Sequence, residues 1–292
     1  MTDKHAALAE RISALYGMKR DQPLPGDARS VVDDLLTLLE RGEVRAAERG
    51  EWSEGSPGEW RAVPWVKEGI LLGFRAGELT EMSVGVSRGS QLPFFDRDTY
   101  PLRNLTVEDG IRIVPGGSSI RRGAYVAAGV VCMPPMYINA GAYVDEATMV
   151  DSHALIGSCA QIGKRVHVSA AAQIGGVLEP VNAAPVVIED DVVVGGNCGI
   201  YEGTVVRSGS VIGAGVILTR GTPVFDLIKQ EIIRGSDTKP LEIPAGAVVV
   251  PGAREVAGKW GKHLGISLQT PVIVKYRDEK TDAATELEDW LR

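Results

Sequence analysis

The stretch YINAGAYVDEATMVDSHALIGSCAQIGKRVHVSAAAQIGGVLEP, residues 137–180, decides the fold. An aliphatic residue returns every six positions, at Ile138, Val144, Val150, Ile156, Ile162, Val168 and Ile174. A small residue usually stands four places later, as at Ala142, Thr148, Ala154, Ala160 and Ala172. A fixed period names an architecture before any motif does. Six residues fit neither an amphipathic helix nor a long alternating strand. They fit a solenoid of short strands in which three hexads close one triangular coil, stacked at about 4.8 Å per coil.

The period extends outward from this block. Upstream it reaches Val114, Ile120, Val126 and Cys132. Downstream it resumes at Ile188, Val194, Ile200, Val206, Ile212 and Leu218, after an expanded unit at PVNAAPVV, residues 180–187. Counting the expanded unit as one side gives six coils, roughly 29 Å tall. On that count Val114, Cys132, Val150, Val168, Ile188 and Val206 form one file. Ile120, Ile138, Ile156, Ile174, Val194 and Ile212 form a second. Arg121, Asn139, Gly157, Gly175, Gly195 and Gly213 then share one corner, as a wall of small residues. Asp151 is expected beneath Ser169, Glu189 and Arg207.

Composition agrees with a thin core. Aromatic residues make up 5% of the 292 and glycine supplies 35, which suits a prism with little room for rings. The net charge of -7 argues against a nonspecific nucleic-acid partner. Cys132, Cys159 and Cys198 form no CxxC pair and read as reduced thiols of a cytoplasmic protein. No apolar run approaches the ~20 residues of a membrane span, and the N-terminus lacks the apolar core of a signal peptide.

The flanks divide the chain into 1–109, 110–223 and 224–292. Residues 1–18 read as a helix with Leu8, Ile12 and Leu15 on one face. Ser30 is placed to cap a second helix, with Asp33 in capping-box position. WRAVPWVKEGILLGFR, residues 60–75, carries a strand-like apolar run. Residues 76–104 read as loops around Phe94, Phe95 and Tyr100. FDLIKQEIIRGS, residues 225–236, reads as a short helix or irregular excursion. EIPAGAVVVPGA and TPVIVKYR read as strands, and TELEDWLR, residues 285–292, as a terminal helix.

Several strings carry more than the period. The 137–180 block, WVKEGILLGFR at 65–75, GIRIVPGGSSIRRGAYVA at 110–127 and PAGAVVVPG at 244–252 resemble the tetrahydrodipicolinate N-succinyltransferase family. The resemblance implies a left-handed parallel β-helix with an N-terminal helical or mixed domain and a small C-terminal cap. It implies a homotrimer with active sites between subunits and no permanently bound cofactor or metal. It also implies transfer of a succinyl group from succinyl-CoA to the amino group of ring-opened tetrahydrodipicolinate, a step of diaminopimelate and lysine biosynthesis.

Acyl transfer to an amine requires removal of a proton, stabilisation of an oxyanion and alignment of two substrates. Asp151, in the MVD string, matches the family's residue at the acceptor amine; read without the family, it is a corner residue of the coil. Arg112 matches the substrate-binding arginine, whose fork suits a dicarboxylate. Arg121 and Arg122 are further carboxylate candidates, and Ser169 is expected within hydrogen-bond reach of Asp151. Gly195, Gly213, Ala214 and Gly215 suit the pantetheine arm of coenzyme A, and Lys259 and Lys262 its phosphates. One departure stands out: relatives often carry a glutamate where this chain has Gly199.

The nearest alternative is an acetyl-CoA-dependent enzyme acting on the same or a similar amino-dicarboxylate. A γ-carbonic-anhydrase-like zinc protein needs three converging histidines. His153 and His167, 14 apart, do not stack on an 18-residue coil, so that reading is remote.

Overall fold

The computed structural model describes residues 3–50, 58–83 and 93–278. The hexads form three stacks of two-residue strands paired in parallel. On the first face Ile113, Cys132, Val150, Val168, Val194, Ile212 and Val249 stack in order. The second carries Ile120, Ile138, Ile156, Ile174, Ile200 and Leu218. The third carries Val126, Val144, Ile162, Ile188, Val206 and Ile243. Apart from Ile113, which is exposed at the open end of its file, these side chains point inward and form one continuous apolar core. Removing such area from water supplies the main driving force of the fold.

Two features of the expected register are corrected. Ile113, not Val114, pairs with Cys132. The extra residue before Ile120 is taken up at Gly116 and Gly117, both with positive φ, a conformation open to glycine at no steric cost. The expanded unit also does not form a side of its own. Ile162 pairs directly with Ile188 across it. The extra residues leave at the corner between the second and third faces, so every later hexad moves round by one face. Asp151 therefore lies below Ser169, Gly195 and Gly213, while Glu189 and Arg207 belong to the corner after the third face. The four-glycine wall splits in two: Gly157 and Gly175 stay below Tyr201, and Gly195 and Gly213 join Asp151.

Neither pair of glycines serves a left-handed corner. A β-carbon on Gly195 would fall 2.6 Å from the Ala214 nitrogen of the coil above. These glycines allow close stacking of coils, which fills the prism at ordinary interior density.

The N-terminal elements pack as three helices, α1 (Asp3–Tyr16), α2 (Ala28–Glu40) and α3 (Pro64–Ala76). Ile12 and Leu15 of α1, Leu35 and Leu36 of α2, and Ile70 and Leu72 of α3 share one core. Asp27 stands at the N-cap of α2 and makes no side-chain cap bond. Ser30 Oγ donates back to the Asp27 carbonyl at 2.8 Å instead of capping. Residues 60–75 are corrected from strand to a short strand, Trp60–Ala62, followed by α3. Pro64 sits in the first turn, where its missing N–H costs nothing, and Val66, Ile70 and Gly73 recur at helical spacing. Of the expected aromatic anchors only Tyr100 is buried, stacked on Phe74 at 4.4 Å with its hydroxyl donating to the Ile70 carbonyl at 2.6 Å. Phe94 and Phe95 are 50% and 63% exposed. Leu79–Glu81 and Phe95–Arg97 form a short antiparallel pair.

This N-terminal unit covers the third face. The Arg45 guanidinium lies 3.6 Å from the Tyr143 ring centre and donates to Gln161 at 2.9 Å. Trp60 Nε1 donates to Glu189 at 3.0 Å. Lys67, fully buried on α3, donates to the carbonyls of Pro180 and Ala183 at 3.2 and 2.7 Å and so fastens the expanded unit.

After Leu218 the chain leaves the prism. Val224–Asp226 and Glu231–Ile233 pair as an antiparallel hairpin, which replaces the expected helix or irregular excursion. Phe225, Ile232 and Ile233 belong to a strand pair because Val224 and Asp226 face inward on alternate positions. Glu242–Ile243 and Ala247–Glu255 then rejoin the stack in parallel. Ala247–Glu255 turns back on Ser267–Tyr276 as a long antiparallel arm, with the helix Lys259–His263 at its tip. The terminal helix expected at 285–292 lies outside the described residues.

Candidate active site

Asp151 follows the strand Met149–Val150, at the corner between the first and second faces. Its backbone N–H donates to the Val168 carbonyl at 2.9 Å, which fixes it in the stack. Its carboxylate accepts the Ser152 N–H at 2.7 Å. The other oxygen lies 3.8 Å from His167 Nε2. The Asp151 side chain keeps 29% of its surface open, while His167 behind it keeps 12%. A carboxylate held at one oxygen and open at the other is built to accept a proton or orient a cation.

Ser169 is one coil above Asp151, with its N–H on the Val194 carbonyl at 2.9 Å. Among the described residues its hydroxyl does not bond the Asp151 carboxylate; Ser152 supplies that contact from the backbone. Gly195 and Gly213 continue the same corner upward, and Ala214 is exposed beside them. Cys198 Sγ lies 3.1 Å from the Gly213 carbonyl, and burial pushes its thiol pKa up. Gly215 has a positive φ, and its carbonyl accepts from Gln269 of the C-terminal arm at 3.1 Å.

Arg112 is exposed on the outer side of the first face. It shares a file with Val131, Met149 and His167, two coil steps or about 10 Å below Met149. Arg121 is not brought to this corner. It stands at the corner between the second and third faces, bonded to Asp96 and, at 3.4 Å, to Asn139. Its guanidinium also faces the Phe74 and Tyr100 rings at 5.1 and 5.0 Å. Arg122 is likewise paired with Asp33. Lys259 and Lys262 are exposed at the tip of the C-terminal arm, where Lys262 lies 3.4 Å from Glu255.

His167 is a neighbour of Asp151 not anticipated from the sequence. The signal was present, because Met149 and His167 are 18 apart and pair in register. His153 occupies a left-handed corner position, φ 62°, and is exposed. A cavity of about 560 Å3 lies elsewhere, between Trp60, Ala183, Glu202, Arg220 and Lys239. None of the candidate site residues lines it.

A family model for the tetrahydrodipicolinate N-succinyltransferase N-terminal region matches residues 7–76. A second, for the hexapeptide repeat of succinyl-transferase, matches 185–220. The 2,3,4,5-tetrahydropyridine-2,6-dicarboxylate N-succinyltransferase of Bradyrhizobium diazoefficiens is 42% identical over 91% of both chains. The chain belongs to this N-succinyltransferase family. The Acinetobacter baylyi member is 41% identical over 92% of this chain and 91% of its own. A solved Campylobacter jejuni structure, described as a 2,3,4,5-tetrahydropyridine-2-carboxylate N-succinyltransferase, shares the fold at 21% identity and a TM-score of 0.51. That alignment spans 86% of this chain and 63% of the other. Among the described residues no helix is long and apolar enough to cross a membrane.

Proposed function

We propose that this chain transfers a succinyl group from succinyl-CoA to the amino group of ring-opened tetrahydrodipicolinate, L-2-amino-6-oxopimelate. The observation that carries the reading is the 42% identity across 91% of both chains to an enzyme named for that transfer. The open Asp151 corner supports it. The amine attacks the thioester carbonyl, a C–N bond forms, and the carbonyl pair moves to oxygen. Collapse of that intermediate breaks the C–S bond and releases coenzyme A, whose sulfur takes up a proton.

Asp151 orients the ammonium and receives its proton. Arg112 pairs with a carboxylate of the acceptor, and Ser169 contributes a hydroxyl to the same corner. Gly195, Gly213, Ala214 and Gly215 form the track for the pantetheine arm, with Lys259 and Lys262 at its phosphates. The register correction supports this track, since it brings Gly195 and Gly213 onto the corner of Asp151. Arg121, engaged with Asp96 and two rings, holds the N-terminal unit to the prism.

The coil is left-handed, and its units are 1–109, 110–223 and 224–292. Three copies assemble in the cytoplasm with the Asp151 corners facing neighbouring subunits. An open corner in one chain, apart from the 560 Å3 cavity, is what such a shared site leaves in each protomer. The test is release of free thiol from succinyl-CoA and acetyl-CoA with 2-aminopimelate as a stable acceptor. Turnover favouring succinyl-CoA supports the reading. Turnover with acetyl-CoA alone moves it to the acetyl enzyme, and none with either donor overturns it.

A further inference from the structure

Outward strand positions of the second face carry Ser119, Tyr137, Leu155, Gln173, Gly199 and Ile217 in register. Gly199 alone has no side chain there, yet it is buried. What covers it is the Tyr201 ring. A β-carbon built on Gly199 falls 2.5 Å from Tyr201 Cε2 and 2.8 Å from its Oη. One built on Gly175, a coil below, falls 2.8 Å from Tyr201 Cδ1. The phenol thus lies flat over two glycines, and any larger residue at 199 would displace it.

The direction of the ring matters. Tyr201 starts at the corner after the second face and reaches back along its own strand over Gly199. Its hydroxyl is therefore directed toward the corner before that strand, the one carrying Gly195 and Gly213. Tyr201 is partly exposed, and among the described residues its hydroxyl has no hydrogen-bond partner. A phenol hydroxyl is an uncharged donor. It donates to an anion without introducing a like charge.

We propose that the Tyr201 hydroxyl is a specificity-determining contact of the acyl donor, donating a hydrogen bond to the carboxylate at the far end of the succinyl group. The proposal rests on the succinyltransferase reading. Gly199 is two coil steps above Leu155, so the hydroxyl stands about 10 Å from the coil of Asp151 in its own chain. That is too far to touch the carbonyl under attack at Asp151. The acyl tail is the anionic part of the donor that extends away from that carbonyl.

The test compares the wild-type enzyme with Tyr201→Phe, which keeps the ring over Gly175 and Gly199. The donors are succinyl-CoA and butyryl-CoA, which has the same chain length but no distal carboxylate. Loss of a hydrogen bond to a charged group is expected to raise KM for succinyl-CoA about tenfold or more. Activity with butyryl-CoA and the thermal midpoint stay unchanged. An equal loss with both donors, or an unchanged ratio between them, overturns the proposal. Wild-type enzyme that does not turn over succinyl-CoA overturns the parent reading as well, which separates the two failures.

Discussion

Asp151 and His167 face each other across one coil step, Oδ2 to Nε2 at 3.8 Å. The gap exceeds a hydrogen bond, so the imidazole stands behind the carboxylate without binding it tightly. Its less exposed ring forms a wall on one side of the carboxylate. His167→Ala removes that wall and frees the rotamer. The expected outcome is a fall in kcat of about tenfold with oligomeric state and thermal midpoint retained, because misplacing a reacting group is costly. His167→Gln, closer in size, recovers part of it. Unchanged kcat in both variants shows that the contact has no positioning role.

Asp151→Asn keeps the shape and the acceptor oxygen for Ser152 N–H but removes the charge. General-base catalysis contributes roughly 10²- to 10⁴-fold, and the variant is expected to lose about that much in kcat. The KM for succinyl-CoA stays close to wild type, since the donor does not depend on this carboxylate. Steady-state kinetics with each substrate varied in turn, on protein whose oligomeric state matches wild type by light scattering, checks both parts.

The repeat made the prism legible because a buried aliphatic every six residues has one stable use. It did not make the faces legible beyond Ile174. An inserted loop can join the stack as a side or leave at a corner, and the hexads on either side of PVNAAPVV look the same in both cases. What decides is tertiary: Lys67 of the N-terminal unit binds the Pro180 and Ala183 carbonyls and draws the loop off the corner. The misread helix α3 has a similar cause. Its apolar residues are crowded enough to suit a strand, and only packing against Leu35 and Tyr100 shows which period is used. The corner of Asp151 and Ser169 was legible through the 18-residue stack, whereas its continuation through Gly195 and Gly213 depended on the loop.

Lys67 therefore has a specific stability role. Burial lowers its pKa below the ordinary 10.5, opposed weakly by Cys159. The two carbonyl bonds offset part of that burial cost. Lys67→Met removes the charge and leaves both carbonyls without their donor, a loss of about 1–3 kcal/mol. Denaturant melts are expected to show this, and limited proteolysis is expected to cut first within residues 175–186. A variant as stable and as protease-resistant as wild type shows that the loop holds itself.

Glu189 predicts the acid limit of the fold. It is 6% exposed and accepts from Trp60 at 3.0 Å, Arg207 at 2.8 Å and Ser208 N–H at 3.1 Å. Burial alone would raise its pKa, but the bonds from Trp60 and Arg207 outweigh that and hold it below the ordinary 4.5. A carboxylate with a lowered folded pKa contributes stability that is complete above its unfolded value. That contribution is lost as pH falls from about 4.5 through the lower folded value. Arg207 is itself buried and also paired with Glu242 at 2.9 Å, so protonating Glu189 leaves a buried cation with half its counter-charge. Glu189→Gln is expected to cost roughly 3 kcal/mol at neutral pH, as breaking a buried pair does. It also flattens the acid limb, so the difference from wild type shrinks as pH drops below 4.5. Thermal midpoints of both proteins between neutral pH and the acid transition measure this. Parallel curves, with a constant gap down to the lowest pH, place the acid sensitivity at other carboxylates.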